Sequence, residues 1–318
     1  MAPDSKFVCP RNVIHHDLAS ELDARSFGHL TGHFWEQLEL PLFLRKKGEP
    51  LLLCLGNTGP LFYWNQFITI YDLSFFHNPE WFSRQFTFVY NLLIPAIAKR
   101  SRHIFTDSNY VRDDIIKTYN IAKDKISVIY GDSSAIFKKP QNCSTSDYIL
   151  AVGSIDPRKN LAGLVKAYLK LETNIRLVIV GQKNKVFSHT DLEVLIGDNA
   201  KITMTGYVTD DELAILYAAA KVFVYPSYME GFGIPPLEAQ ACGCPVIVSN
   251  VASLPEVCAD SVLYFNPHDE NDIAATIQKV LNSEQIRNEL RQKGFKNIQR
   301  FCWEKSAQII YSKLREIE

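Results

Sequence analysis

Short apolar runs alternate with longer stretches of helical periodicity along most of the chain. A strand buried on both faces reads as a continuous run of about four to eight apolar residues. In the first part, "LLLCL" (51–55), "FITIY" (67–71), "HIFT" (103–106) and "SVIY" (127–130) fit such strands, with "FVC" (7–9) as a further candidate. "SNYVRDDIIKTY" (108–119) reads as a helix, with Ser108 placed to accept a free N–H of the first turn. A cleaner series follows. "YILAVG" (148–153), "RLVIVG" (176–181), "ITMTG" (202–206), "VFVYP" (222–226), "PVIVS" (245–249) and "VLYF" (262–265) read as six strands. The helical stretches "NLAGLVKAYLKL", "DDELAILYAAA", "PLEAQACG" and "NDIAATIQKVLNS" fall between or after them.

Alternating strands and helices predict parallel α/β sheets, and the six-strand series predicts a doubly wound unit. Between the two series, "KKPQNCSTSD" (138–147) is polar, holds a proline and has no period. It reads as a linker. The final stretch, "FCWEKSAQIIYSKLREIE" (301–318), carries an apolar stripe of Trp303, Ala307, Ile310 and Leu314, so it predicts a helix that packs on something. The expected units are 1–137, 138–300 and a C-terminal helix over 301–318 that returns to the first unit.

Bulk composition narrows the function classes. A chain of 318 residues favours two cores over one. Hydrophobic residues are 47% and charged residues 22%, ordinary for a globular protein. Lys+Arg is 34 against Asp+Glu 35, a net charge of −1, which gives no general attraction to nucleic acid. The seven cysteines are scattered and show no zinc-type spacing, which predicts free thiols in a reducing compartment. Cys242 and Cys244 read as small core residues. The N-terminus lacks a secretory pattern, and no run reaches the roughly 20 apolar residues of a spanning helix. A cytoplasmic protein is expected. The stretch 81–98, followed by Lys99, Arg100 and Arg102, offers an apolar and basic surface suited to the face of a membrane.

In doubly wound sheets, ligands sit where strand C-termini open into loops. Three such places carry suggestive residues. In "VGSIDPRKNL", Arg158 and Lys159 stand just before a helix opened by Asn160, an arrangement that suits an anion. A solvated loop with two cations is the equal alternative. In "MEGFGIPPLEAQACGCPVIVS" (229–249), Glu230 and Glu238 flank Gly231, Phe232 and Gly233 and a proline pair. Glycine lets backbone approach a ligand, and proline suits a first helical turn. Glu238 is expected within that turn. Its plain alternative is a capping carboxylate against the helix dipole. In "TGYVTDDEL", Tyr207 and Val208 sit at a strand end, where an ordinary loop is the stronger reading. In the first part, Tyr71-Asp72 ends a strand, and Asp72, His77 and Glu80 are expected to line a cleft, while Phe75, Phe76, Trp81 and Phe82 read as core. No GxxxxGK[ST] loop, HExxH pair or serine-nucleophile elbow occurs, and His29 and His33 make no metal site.

Taken together, these motifs resemble the GT4 family of retaining glycosyltransferases, whose GT-B fold sets two Rossmann-like doubly wound domains across a cleft. Glu230 and Glu238 match its E-x7-E element and "GSIDPRKN" its phosphate clamp, while "GYVTDDEL" and "PVIVSNVASLPEV" stand in the expected places. "LTGHFWEQLELPLFL", "YDLSFFHNPEWF" and "TDSNYVRDDI" resemble the mannosyltransferase-like branch of bacterial O-antigen and capsule assembly. The resemblance covers nearly the whole chain. It implies that residues 1–137 face the acceptor and residues 138–300 bind the nucleotide-sugar. Arg158 and Lys159 neutralise its diphosphate. Glu238 holds the ribose, and Glu230 grips the hexose hydroxyls. Gly231, Phe232 and Gly233 contact the sugar, Tyr207 and Val208 neighbour the base, and Asp72 joins the catalytic group. It implies no metal or other cofactor, a donor such as GDP-mannose, a lipid-linked saccharide acceptor, and front-face attack without a covalent enzyme intermediate. Peripheral contact with the inner membrane is also implied.

Two departures stand out. Tyr71 replaces the family's usual histidine. The chain also opens at what reads as the second strand, so the first unit is expected to lack a strand–glycine-loop–helix element and to show an open sheet edge. Two other classes compete. One is a glycoside hydrolase with Glu230 and Glu238 as its acid pair, which leaves Arg158 and Lys159 without a purpose. The other is a shortened nucleotide-sugar-binding protein of weak or absent activity.

Overall fold

The computed structural model describes residues 5–139, 146–182 and 192–316. Twelve strands form three parallel sheets among them. β1 (Val8–Pro10) pairs with β2 (Arg25–Phe27) in a small sheet. The first main sheet contains β3 (Leu52–Cys54), β4 (Gln66–Thr69), β5 (His103–Thr106) and β6 (Ile126–Val128), in that order. The second contains β7 (Tyr148–Val152), β8 (Arg176–Val180), β9 (Ile202–Gly206), β10 (Val222–Tyr225), β11 (Val246–Ser249) and β12 (Leu263–Phe265). Its order is β12-β11-β10-β7-β8-β9. The order reverses between β7 and β10, so this is where a crevice opens beyond the strand ends.

Side-chain alternation puts a core on each face of the second sheet. Ile149, Ala151, Leu177, Ile179, Val222, Val224 and Ile247 pack on one face. Leu150, Val178, Phe223, Tyr225, Val246 and Val248 pack on the other. Both faces are apolar because helices cover both, which is why these strands read as unbroken hydrophobic runs. The first sheet follows the same rule. Ile68, Ile104 and Ile126 face the helices Arg84–Arg100 and Asn109–Tyr119. Phe67, Phe105 and Ile129 face the other way, and Ile310 and Leu314 of the helix Trp303–Arg315 pack there.

Local signals set several helix starts. Ser108 accepts from the Val111 N–H, as its place before the helix predicts. Thr209 and Glu212 form a reciprocal capping box. Two elements escaped the sequence reading, and one expectation needed correction. β2 has no apolar run, and pairing with β1 alone makes it a strand. The helix Glu284–Ile298 escapes a periodicity reading because it buries only Leu290, Gly294 and Asn297. Trp303 does not join the C-terminal stripe. It is half exposed, and Ser306 takes the inward position, donating to the Tyr130 carbonyl at 2.6 Å. Most of the expected linker lies outside the described residues. Among the described residues the cysteines form no disulfide, and Cys242, Cys244 and Cys258 are buried. Among the described residues, no helix is long and apolar enough to cross a membrane.

Candidate functional site

Strand β7 ends at Val152, and the chain turns through Gly153 to a single 3-10 turn, Pro157–Lys159. Asp156 caps that turn by accepting from the Lys159 N–H. Asn160 then takes a left-handed conformation (φ 50°) before the helix Leu161–Leu169. Its side-chain amide donates to the carbonyls of Pro226 and Pro267, which locks the turn beside the loop after β10. The Tyr228 N–H donates to the Arg158 carbonyl at 2.8 Å. Both cations are thereby carried toward the β10 loop, and Glu230 lies between them.

Lys159 Nζ stands 2.6 Å from Glu230 Oε1 and donates to the Tyr225 hydroxyl at 2.8 Å. Arg158 Nη1 stands 3.2 Å from Glu230 Oε2. Lys159 and Glu230 are buried, at 9% and 5% exposure, so this is a desolvated charge cluster rather than a surface ion pair. Burial pushes the Glu230 carboxyl upward, and Lys159 and Arg158 outweigh it, leaving the group at about 2. Burial pulls the Lys159 ammonium down, with Glu230 opposing the change. Burial also acts against the Arg158 charge, which Glu230, Asp72 and Asp156 more than restore. Arg158 Nε is enclosed with no hydrogen-bond partner. The cluster therefore carries two cations against one close carboxylate, and spare donor capacity.

Glu238 does not share this cluster. The helix Ile234–Ala241 begins at Ile234 behind Gly233 (φ 107°), so Glu238 is its fifth residue and lies beyond the first turn. The expectation of a first-turn carboxylate is corrected here, because the proline pair occupies the first turn. Glu238 Oε2 accepts from the Tyr217 hydroxyl at 3.1 Å. Burial lifts this carboxyl to about 7, with Tyr217 partly opposing and Asp210 adding to the lift. The two glutamates thus sit in opposite electrostatic settings, one held ionised and one half protonated near neutrality. Tyr207 and Val208 follow β9, with Tyr207 72% exposed.

The first unit closes on the glycine turn. A Cβ on Gly231 would stand 1.9 Å from the Tyr71 carbonyl oxygen and 3.4 Å from Asp72 Cβ, so only glycine fits. Asp72 Oδ1 accepts from the Ser74 N–H at 2.8 Å, and its charge reaches Arg158. Asp107, unrecognised in the sequence, joins this region. Its enclosed Oδ1 has no partner, and burial, with Asp72, Glu230 and Glu256 adding, raises its carboxyl well above the usual range. His77 is tied to Asp114 within the first unit at 2.8 Å. The core reading of Trp81 is corrected. Its ring stacks on Tyr228 at 6.2 Å, and Tyr228 stacks on His268 at 4.8 Å, so it bridges the units.

Sequence reasoning missed the scaffold of the loop. Ser253 donates to the carbonyls of Glu230 and Phe232, both at 2.9 Å, and Ser108 to that of Gly231 at 2.6 Å. The only sequence signal for Ser253 was its place in "PVIVSNVASLPEV".

Comparison with known proteins adds a family context. Residues 132–297 match the family described as glycosyl transferases group 1. The chain is 37% identical over 252 residues to the O-antigen chain mannosyltransferase RfbU of Salmonella typhimurium, covering 78% of this chain and 69% of that protein. It is 34% identical to the O-antigen chain mannosyltransferase B of Escherichia coli, covering 74% and 66%. The chain spans about two thirds of the length of these curated relatives. Among solved structures, Anabaena HepE in complex with UDP-glucose superposes with a TM-score of 0.77 at 15% identity, covering 97% and 91%. WaaG, a glycosyltransferase involved in lipopolysaccharide biosynthesis, superposes at 0.69 and 15% identity, covering 91% and 86%.

Proposed function

Because the chain belongs to the glycosyl transferases group 1 family and has the GT-B fold, we propose that it is a retaining hexosyltransferase. In this reading it moves a hexose, mannose favoured, from a nucleotide-sugar to a lipid-linked glycan. The observation that carries it is the buried Arg158–Lys159–Glu230 cluster beyond the β7 and β10 ends.

The donor's diphosphate takes the two cations, and Glu230 turns an oxygen toward the hexose hydroxyls. Arg158 and Lys159 then stabilise the charge that builds on the phosphate as the anomeric C–O bond breaks. The acceptor hydroxyl attacks from the same face. Its oxygen bonds to the anomeric carbon, and its proton passes to the departing phosphate oxygen. Protein cations supply the charge that a metal supplies elsewhere, so no metal is required. Glu238 accepts from ribose hydroxyls, Tyr207 and Val208 flank the base, and the backbone of Gly231, Phe232 and Gly233 lies along the sugar. Asp72 comes from the acceptor side. Residues 1–137 serve as the acceptor unit, 138–300 as the donor unit, and 301–318 as the returning helix.

Mannose and O-antigen assembly are favoured by the names of the two curated relatives, and in this reading the protein works in the cytoplasm, at the face of the membrane. Exposed Phe88 and Leu92 lie on the helix Arg84–Arg100, with Lys99 and Arg100 at its end. They support a peripheral membrane contact. A second reading, a nucleotide-sugar-binding protein of weak activity, is favoured by Tyr71, whose hydroxyl is committed to the Leu55 carbonyl.

Calorimetric titration with GDP-mannose, UDP-glucose and a dTDP-sugar tests the proposal. One donor is expected to bind, with Arg158→Ala and Lys159→Ala each weakening it about 10- to 100-fold, the cost of a charge-assisted contact. Binding of none of them refutes the reading. Binding without transfer selects the second.

A further inference from the structure

Glu256 lies in the short helix Leu254–Cys258 of the second unit, yet its carboxylate faces the first. Oε1 accepts from the Asn109 N–H at 2.8 Å, from Asn109 Nδ2 at 2.7 Å and from the Tyr130 hydroxyl at 2.9 Å. Oε2 accepts from the Tyr110 N–H at 3.1 Å. Asn109 and Tyr110 open the helix Asn109–Tyr119, and their N–H groups have no intrahelical acceptor. A carboxylate is favoured there by the helix dipole as well. A helix of one unit is therefore completed by an anion from the other.

The residues on either side of this bond hold the glycine turn. Ser108, immediately before Asn109, donates to the Gly231 carbonyl. Ser253, immediately before Leu254, donates to the carbonyls of Glu230 and Phe232. The turn is gripped from both units, and Glu256 fastens the two grips to each other. We propose that Glu256 is a positioning residue that sets closure of the cleft. It seats the start of the Asn109–Tyr119 helix on residues 230–232, and so brings Tyr71 and Asp72 against the turn. This inference rests on the reading of that turn as the sugar-facing loop.

The bond suits a closure that must reverse. When the units part, the carboxylate and the two N–H groups return to water, which replaces their hydrogen bonds. Glu256 touches neither the Arg158–Lys159 cluster nor Glu238 through any of its four hydrogen bonds, so its loss acts on closure and leaves the donor unit's own contacts in place.

The test compares wild type, Glu256→Gln and Tyr130→Phe as full chains. Glutamine keeps the shape but loses the charge and turns an N–H2 group toward donors. Amide exchange of the peptide spanning 108–111, read by mass spectrometry, is expected to quicken about tenfold in Glu256→Gln, the equivalent of one charge-assisted hydrogen bond. Tyr130→Phe should fall between the two. The peptide spanning 161–165 should not change. GDP should bind within about twofold of wild type, while GDP release from GDP-mannose slows about tenfold in kcat at constant KM, because closure and not nucleotide contact is lost. Unchanged exchange at 108–111 overturns the proposal. So does a GDP affinity that falls in step with kcat, which would place the role of Glu256 inside the donor unit. If Glu256→Gln fails to fold, the milder Tyr130→Phe carries the same comparison. A wild-type chain that binds no GDP-mannose removes the donor reading and leaves the exchange result standing.

Discussion

Replacing Glu230 with glutamine removes the one close carboxylate from a buried site that holds two cations. In the folded chain this carboxyl lies at about 2 instead of the ordinary 4.5. That displacement corresponds to about 3 kcal/mol of extra favour for the ionised form. Because the folded value is depressed, the stabilisation is fully present above 4.5 and is lost as pH falls toward 2. Glutamine keeps one acceptor for Lys159 Nζ, so part of the hydrogen bonding survives, and Glu230→Gln should cost about 2–3 kcal/mol at pH 7. The loss also removes what opposes burial at Lys159, so the lysine gives up its proton more easily in the variant. Urea unfolding followed by fluorescence measures the effect. The gap between wild type and variant should be large at pH 7 and should narrow between pH 4.5 and 3. If the two cations take the donor's diphosphate as proposed, excess GDP narrows it at pH 7 as well, by restoring negative charge between Arg158 and Lys159. An equal gap at pH 7 and pH 3 would refute the electrostatic account. A variant as stable as wild type at pH 7 would do the same.

Two further predictions follow from the same loop and its neighbour. Glu238 has a raised carboxyl at about 7, so its proton-linked stability is full below 4.5 and is lost as pH rises through 7. Glu238→Gln should therefore unfold at higher urea than wild type at pH 8, by up to about 3 kcal/mol. If the carboxylate holds ribose hydroxyls, GDP affinity in wild type rises from pH 6 to 8, and the variant binds weakly and without that slope; a flat wild-type profile by calorimetry would count against the assignment. Gly231→Ala places a methyl against the Tyr71 carbonyl. It should hold the units apart, seen as a larger radius of gyration by X-ray scattering, with GDP binding kept; an unchanged radius would show that the contact yields locally.

Much of the charge cluster in the second unit was legible because its residues sit at strand ends and helix starts. Arg158 and Lys159 precede a helix by sequence alone, and Glu230 follows a strand end. The strands read clearly because both sheet faces are covered, which turns each into an apolar run. Glu238 was misplaced within its helix because the position of the first turn depends on where Gly233 takes a positive φ, which no composition signal fixes. Asp107, Ser253 and Glu256 carried no chemical signal of their own, and Ser108 was legible only as the cap of its helix, not as a partner of Gly231. A lone serine or acid in a polar loop is ordinary until something distant faces it.

The chain order of apolar runs, caps and glycines was enough to determine two parallel α/β units and the strand ends where ligands belong. Only the tertiary structure decided which charges meet. Lys159 and Glu230 are separated by a whole βαβ crossover and more, and Ser108 and Gly231 by over a hundred residues. Hydrophobic periodicity specifies which face of an element is buried. It does not specify which polar group on another element arrives opposite, because that depends on sheet order, on the crossover geometry and on closure between the units. Burial then sets the result, holding Glu230 ionised and lifting Glu238 toward neutrality although both are the same residue eight positions apart.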